Sequence, residues 1–325
     1  MGYHWANGPD WTSTIAIIPW NVYLFYGDKK ILLDNYDNIK RYVNHLTEQS
    51  PVGLTSWGLG DWVPVKSKSP VELTSSIYYF VDVAILSKMA KLLGKQSDAD
   101  TYACLAMKIK QAINSTYLNK ETGLYGSGSQ TELSAPLYWG LVPDELKHKV
   151  SANLAKRVKD DNAHLDVGLL GTKTILNALS ENGYADLAYQ VASQENFPSW
   201  GWWIKNGATT LYENWSIDAK KDISQNHIMF GEIGAWYYKA LGGINPDSQH
   251  PGFKNVLIEP HFVSGLDRFE ATHNGPYGTI RSGWERSSTG ITYSLTVPPN
   301  STASLKLPGL GIQKLQAGTH LFKIK

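Results

Sequence analysis

The sequence predicts a mainly α fold, an α/α toroid of helical hairpins, followed by a small antiparallel β domain. Three observations carry that reading. Apolar residues recur at helical spacing through most of residues 12–242, in paired segments joined by short polar loops. Beyond Gly243 the pattern changes to short alternating runs separated by Pro, Gly and Asn turns. Eleven of the twelve tryptophans precede residue 250, so the aromatic load belongs to the helical part.

The elements follow in order. Residues 12–26 carry helical periodicity. Asp28 is the N-cap of a helix reaching Leu46, with Ile31, Leu32, Tyr36, Ile39, Tyr42, Val43 and Leu46 at helical steps. Residues 53–69 form a long loop rich in Gly, Pro and Trp. A helix over 71–93 ends at Gly94, where a left-handed residue is expected past the C-terminus. Another spans 97–118, with Tyr102, Leu105, Ile109 and Ile113 on one stripe. Shorter helices are expected over 132–141, 144–158, 171–179, 184–193, 208–215 and 225–241, the last ending in Gly242-Gly243. No self-similarity at a fixed period occurs, which argues against a solenoid of near-identical repeats. Strands follow the linker at 245–248, over 256–259, 268–272, 278–285, 291–297 and 303–307. The domains are therefore expected at 1–243 and 250–325.

Composition narrows the function classes. Charged residues make up 18% of the chain, and 30 basic against 29 acidic residues leave a formal charge of +1. Disorder, a coiled coil and a broad basic footprint for nucleic acid are thereby excluded. The single cysteine, Cys104, excludes a disulfide framework and a Cys-based zinc site. No GxSxG, HExxH or EF-hand pattern occurs, so no cofactor or metal is expected. With no leader pattern and no apolar run near the roughly 18 residues of a membrane span, the chain as given reads as soluble; its compartment stays open.

Three constellations could carry chemistry. Glu213 follows Gly207 closely, with Phe197-Pro198-Ser199-Trp200-Gly201-Trp202-Trp203 upstream and Trp215 two residues on. A carboxylate among aromatics is expected to have a raised pKa and to serve as general acid or base; the alternative is a surface residue over an aromatic core. Asp61, in Ser56-Trp57-Gly58-Leu59-Gly60-Asp61-Trp62, is either a hydroxyl-binding carboxylate or the cap of a turn. His227 is expected in the first turn of the last long helix, as a ligand-positioning residue or else as a capping or packing one.

Taken in order, several segments carry a resemblance. They are Asp10-Trp11 leading to Ile17-Ile18-Pro19-Trp20, the Gly60-Asp61-Trp62 loop, residues 168–173, Pro198-Ser199-Trp200-Gly201, residues 207–213, Asn226-His227 with Met229-Phe230-Gly231, and Pro251-Gly252-Phe253. Together they resemble the C-terminal portion of glycoside hydrolase family 78, the bacterial α-L-rhamnosidases. The resemblance implies an (α/α)6 catalytic toroid, a C-terminal β-sandwich domain, a rhamnoside substrate and an inverting mechanism using two carboxyl groups. Glu213 then matches the general base. His227 matches a histidine of the sugar pocket, and Trp11 and Trp62 match tryptophans lining it. Asp61, Trp57, Trp200 and Trp215 are expected as neighbours. The family's Asp-Cys-Pro-x-Arg-x-Glu motif, which carries the general acid, has no match in these residues. The chain is accordingly expected to be a weakly active rhamnosidase whose partner is a missing N-terminal part, or a catalytically silent rhamnose-binding remnant. Another toroid glycosidase or a polysaccharide lyase is the remaining alternative.

Overall fold

The computed structural model describes residues 8–324. They fall into two compact units. One holds the residues up to Ile18 together with Leu33–Glu232, the other Pro19–Leu32 together with the residues from Ile233 on.

The first unit is helical. α1 (Pro9–Thr12) is followed by α2 (Thr14–Tyr26), α3 (Lys30–Gln49), α4 (Val71–Leu92) and α5 (Gln96–Tyr117). A two-stranded hairpin, β1 (Leu118–Asn119) with β2 (Leu124–Tyr125), precedes α6 (Gln130–Tyr138), α7 (Lys147–Asp160), α8 (Leu169–Glu181), α9 (Ala185–Ala192) and α10 (Trp200–Lys205). α4 packs on α5, α6 on both α7 and α8, and α8 on α9. α4 is buried on most of its surface, including Ser75, Ser76 and Asp82, which is why its sequence reads as nearly continuously apolar. Asp28 caps α3 as expected, accepting from Lys30 N at 2.7 Å. α6 opens with a reciprocal capping box between Ser129 and Glu132.

The helix expected over 12–26 is interrupted at Ser13, whose hydroxyl donates to Pro9 O and to Asp82 Oδ2. Two further expectations fail more completely. Residues 208–215 are not helical, although Leu211 and Trp215 stand four apart. They run out from Gly207 (φ 87°) and return as residues 224–227, with Glu213 N donating to Ser224 O and His227 N to Leu211 O, both at 2.9 Å. Those cross-links use the backbone groups that a helix would need. The continuous helix expected over 225–241 is instead a 3-10 turn at Ile228–Phe230, α11 (Glu232–Trp236) and a π-helical turn at Tyr237–Leu241. His227 is extended (φ −139°, ψ 124°) and stands outside any helical first turn.

The second unit contains two four-stranded sheets. Its strands are β3 (Ile244–Pro246), β4 (Asn255–Ile258), β5 (Arg268–Gly275), β6 (Gly278–Ser287), β7 (Gly290–Val297), β8 (Thr302–Leu305), β9 (Gln313–Leu315) and β10 (Gly318–Ile324). One sheet has the order β10-β7-β6-β5 and is antiparallel throughout. The other has the order β3-β4-β8-β9, and its β4–β8 pair is parallel, which the alternation pattern did not announce. Ile280, Ser282 and Trp284 on β6 and Tyr293, Leu295 and Val297 on β7 give this unit its core, with the Ser282 and Tyr293 hydroxyls 2.9 Å apart. Residues 19–32 belong here because Gly252 N donates to Leu24 O (2.8 Å) and Phe25 packs edge-on against Phe253 (5.4 Å). Among the described residues no helix is long and apolar enough to cross a membrane.

Candidate functional site

Two loops of the first unit carry the candidate residues, 53–69 and 207–227, and two buried aspartates fix the first of them. Asp10, on α1, accepts from Gly60 N (2.7 Å), Leu59 N (3.0 Å) and the Ser75 hydroxyl (3.2 Å). Gly58 lies so close that a Cβ there would come within 2.0 Å of Ser75 Oγ and 2.5 Å of Asp10 Oδ2. A side chain at position 58 would therefore force Asp10 off the loop. Asp61 accepts from the Thr131 hydroxyl (2.5 Å), Gly168 N (2.9 Å), Leu170 N (2.7 Å) and Gly171 N (3.1 Å). Trp62 O meanwhile accepts from Leu169 N at 2.9 Å. Asp61 and Trp62 thus satisfy the free donors of the first turn of α8 from a distant loop, where Gly168 offers no side chain to cap it.

This corrects the expectation that Asp61 binds a substrate diol. A carboxylate has about four acceptor sites, and four internal donors occupy them. Its sequence alternative, a cap, is the arrangement found, though it caps a helix about a hundred residues away. Burial pushes the Asp61 carboxyl above its ordinary value, opposed by the bonds from Thr131 and the α8 amides.

Asp10 is pushed up to about 6 by burial, against the opposing bonds from Gly60, Ser75 and Leu59. The folded state then holds this proton more tightly than the unfolded chain. The group's contribution is fully present below 3.8 and is lost as pH rises through about 6. Two units of pKa correspond to about 3 kcal/mol. Urea unfolding from about pH 7 to about pH 4 should therefore stabilise the wild type over Asp10→Asn by up to about 3 kcal/mol. A difference between the two that does not move with pH would show that Asp10 titrates like a solvated carboxyl.

α1 and the 53–69 loop bring Trp11 and Trp62 together, edge-on with ring centroids 6.2 Å apart. Both are half-buried, and Trp11 Nε1 is buried without a hydrogen-bond partner among the described residues. Trp57, four residues before Asp61, is instead engaged edge-on with His45 at 5.8 Å.

Trp200 and Trp215 do not line a cleft, contrary to expectation. They are 5% and 1% exposed and their indole N–H groups are satisfied by Phe230 O (3.0 Å) and Val167 O (2.9 Å). Trp215 stacks on Trp203 (4.8 Å, 19°) and lies 4.3 Å from the Phe230 ring. Fully desolvated rings with paired N–H groups are packing residues, and this cluster anchors both ends of the 207–227 loop.

On that loop, Glu213 and His227 occupy facing stretches tied by the Glu213–Ser224 and His227–Leu211 backbone bonds. Glu213 Oε2 accepts from Ser224 N at 3.2 Å, and Oε1 has no partner among the described residues. His227 Nδ1 accepts from Met229 N at 3.1 Å, which assigns the neutral ring's proton to Nε2. Asp222, at the loop's tip with φ 52°, lines two cavities. One, of 330 Å³, is shared with Asp61 and Trp62; the other, of 200 Å³, with Tyr212, Asn214 and Ser224, the sequence neighbours of Glu213 and its backbone partner. Sequence reasoning passed over Asp222, and its only signal was that it and Asp218 lie within ten positions of Glu213. Among the described residues no group of His, Cys, Asp and Glu could hold a metal ion.

Comparison with known proteins decides the family. Residues 1–241 match the bacterial α-L-rhamnosidase six-hairpin glycosidase domain, and residues 243–321 match the bacterial α-L-rhamnosidase C-terminal domain. The chain belongs to the bacterial α-L-rhamnosidase family. Its fold is accordingly the six-hairpin glycosidase domain followed by a C-terminal β domain. Among curated rhamnosidases, that of Streptomyces avermitilis is 30% identical over 306 residues, covering 92% of this chain and 29% of the relative. That of an Alteromonas species is 30% identical over 325 residues, covering 94% of this chain and 35% of the relative. The solved rhamnosidase of Dictyoglumus thermophilum superposes with a TM-score of 0.90 at 31% identity, covering 98% of this chain and 39% of that one. The Streptomyces avermitilis rhamnosidase, solved in complex with L-rhamnose, gives 0.90 at 27% identity, covering 97% and 33%. This rhamnosidase-family chain thus spans about a third of the length of the relatives it matches.

Proposed function

We propose that this chain acts on terminal α-L-rhamnosyl residues, and that Glu213 activates the water in an inverting displacement. The observation that carries this reading is the juxtaposition of Glu213 and His227 on facing stretches of one loop. A carboxylate with one anchored and one open oxygen can orient a water and take its proton as that water attacks the anomeric carbon. The Nε2–H of His227 donates to a sugar hydroxyl. The Trp11 and Trp62 rings meet the apolar C–H face of the sugar. The rhamnosidase names of the relatives and the L-rhamnose bound to one of them set the substrate class. An inverting reaction needs a second carboxyl roughly 6.5–9.5 Å away to protonate the departing oxygen. That acid is a separate group from the residues assigned above.

Two substrates test the reading. An aryl α-L-rhamnoside with a reactive leaving group needs little acid assistance, whereas an alkyl rhamnoside depends on it. Turnover of the aryl substrate should release β-L-rhamnose first, read by proton NMR before mutarotation. First release of the α anomer would refute inversion. No turnover of the aryl substrate, with calorimetric binding of L-rhamnose intact, would replace catalysis by a sugar-binding role.

A further inference from the structure

The second unit holds an open polar cavity of 690 Å³ that the rhamnosidase reading does not use. It is formed where the turn at 247–250 meets the parallel pair β4–β8 and the strand β9 beside it. Its inner side is a connected line of polar side chains. Asp247 Oδ2 accepts from Asn255 Nδ2 (2.9 Å) and pairs with His250 Nδ1 (2.8 Å), and Asp247 Oδ1 accepts from Gln249 N (2.9 Å). Asn255 Nδ2 also donates to Ser304 Oγ (3.2 Å), and its Oδ1 accepts from the Thr302 hydroxyl (2.9 Å).

The balance of donors and acceptors defines the ligand. The acceptors of the line, both oxygens of Asp247 and Oδ1 of Asn255, each already accept from an internal donor. Open to the cavity stand the exposed ammonium of Lys314 and the side-chain amide of Gln316, while His250, whose Nδ1–H is turned to Asp247, presents Nε2 as an acceptor. Lys254 adds an ammonium that spends one proton on Asn300 O (2.8 Å) and rests 4.9 Å from the Tyr277 ring centroid. A surplus of donors, two of them permanent cations, wants an acceptor-rich anion. The cavity's width and its hydroxyl-lined floor suit several ring hydroxyls besides the anionic group. No Phe, Tyr or Trp ring is among its lining residues, so a ligand recognised by base stacking is disfavoured.

We propose that this cavity is a saccharide site for an acidic sugar of the uronic-acid type, its carboxylate between Lys314 and Lys254 and its hydroxyls over Asn255, Thr302 and Ser304. The site is separate from the Glu213 loop and does not depend on the rhamnosidase reading.

The test is a titration of the full chain, followed by amide NMR, with D-galacturonate, D-galactose, inorganic phosphate and L-rhamnose. D-Galacturonate should shift the resonances of residues 302–304 and 314–316 with a millimolar Kd, about −4 kcal/mol. Raising the salt from about 0.05 to 0.5 M should weaken it several-fold, because the two lysines are exposed. Lys314→Ala combined with Lys254→Ala should weaken it at least about tenfold while leaving the melting temperature unchanged, since both side chains stand at the rim. Equal shifts with phosphate alone would overturn the saccharide assignment in favour of a simple anion site. Equal binding of D-galactose would overturn the role of the lysines. No shift of these residues with D-galacturonate would remove the site, and L-rhamnose shifting only the first unit's resonances would keep the two sites apart.

Discussion

Asp61→Ala is expected to lower the unfolding free energy by about 3–5 kcal/mol, because it leaves several buried donors without an acceptor. The carboxylate is buried and holds one hydroxyl and three amides. Removing it orphans four donors that water cannot reach, and each unpaired buried donor costs about 1–3 kcal/mol before the loop relaxes. Asp61→Asn should recover only part of the loss. It keeps one oxygen as acceptor but turns an NH2 toward donors that need a lone pair. Gly168→Ala offers an independent route to the same failure, because a Cβ there would stand 2.2 Å from Trp62 O. Urea unfolding with an unchanged m-value reads both variants. A different outcome would restore the sugar-contact role: Asp61→Ala folding as stably as the wild type while losing affinity for L-rhamnose. That result would mean that the carboxylate's donors are exchanged for substrate hydroxyls.

The sequence exposed this site unevenly, and the reasons are physical. Helical periodicity located α3 to α9 because each buries a stripe or a whole surface, and burial is what periodicity records, whereas α10 lay in a segment that read as a tryptophan loop. It misread residues 208–215 and 225–227, where Trp215 is buried and Leu211 half-buried from a loop. A four-residue spacing of buried side chains cannot tell a helix from a loop whose backbone bonds run to another loop. The Trp-rich motifs were legible as a cluster but not by role. Trp11 and Trp62 stay half-exposed, whereas Trp200 and Trp215 vanish into the packing under the loop. Composition cannot separate the two pairs, because a tryptophan's role is set by whether its N–H and ring face are already occupied. Asp61 shows the same limit. The Gly-Asp-Trp string identified an important carboxylate, but its partners lie on α6 and at the start of α8, out of reach of any local pattern. The β domain after Gly243 was visible from alternation, while the parallel β4–β8 pairing was not, since strand direction leaves no mark on a short alternating run.

Glu213→Gln separates chemistry from scaffold most sharply. Glutamine keeps the size and can still accept from Ser224 N, so the loop and its Glu213–Ser224 and His227–Leu211 backbone bonds should persist. It cannot take a proton from water. If Glu213 is the base, kcat on the aryl rhamnoside should fall by about 10²–10⁴ while KM stays within a few-fold, the usual worth of one general base. The melting temperature should not move, because the side chain is half-buried and one of its oxygens is unpartnered. Azide tests the assignment from the other side. It needs no deprotonation, so it should attack the anomeric carbon of the aryl rhamnoside in Glu213→Ala as the aryl oxide leaves, giving the β-rhamnosyl azide. Restored turnover with that product would locate the defect at water activation. A Glu213→Gln chain with undiminished kcat would remove the residue from the chemistry. A variant that loses rhamnose affinity as well as rate would make Glu213 a sugar-binding residue whose open oxygen holds a hydroxyl instead of the attacking water.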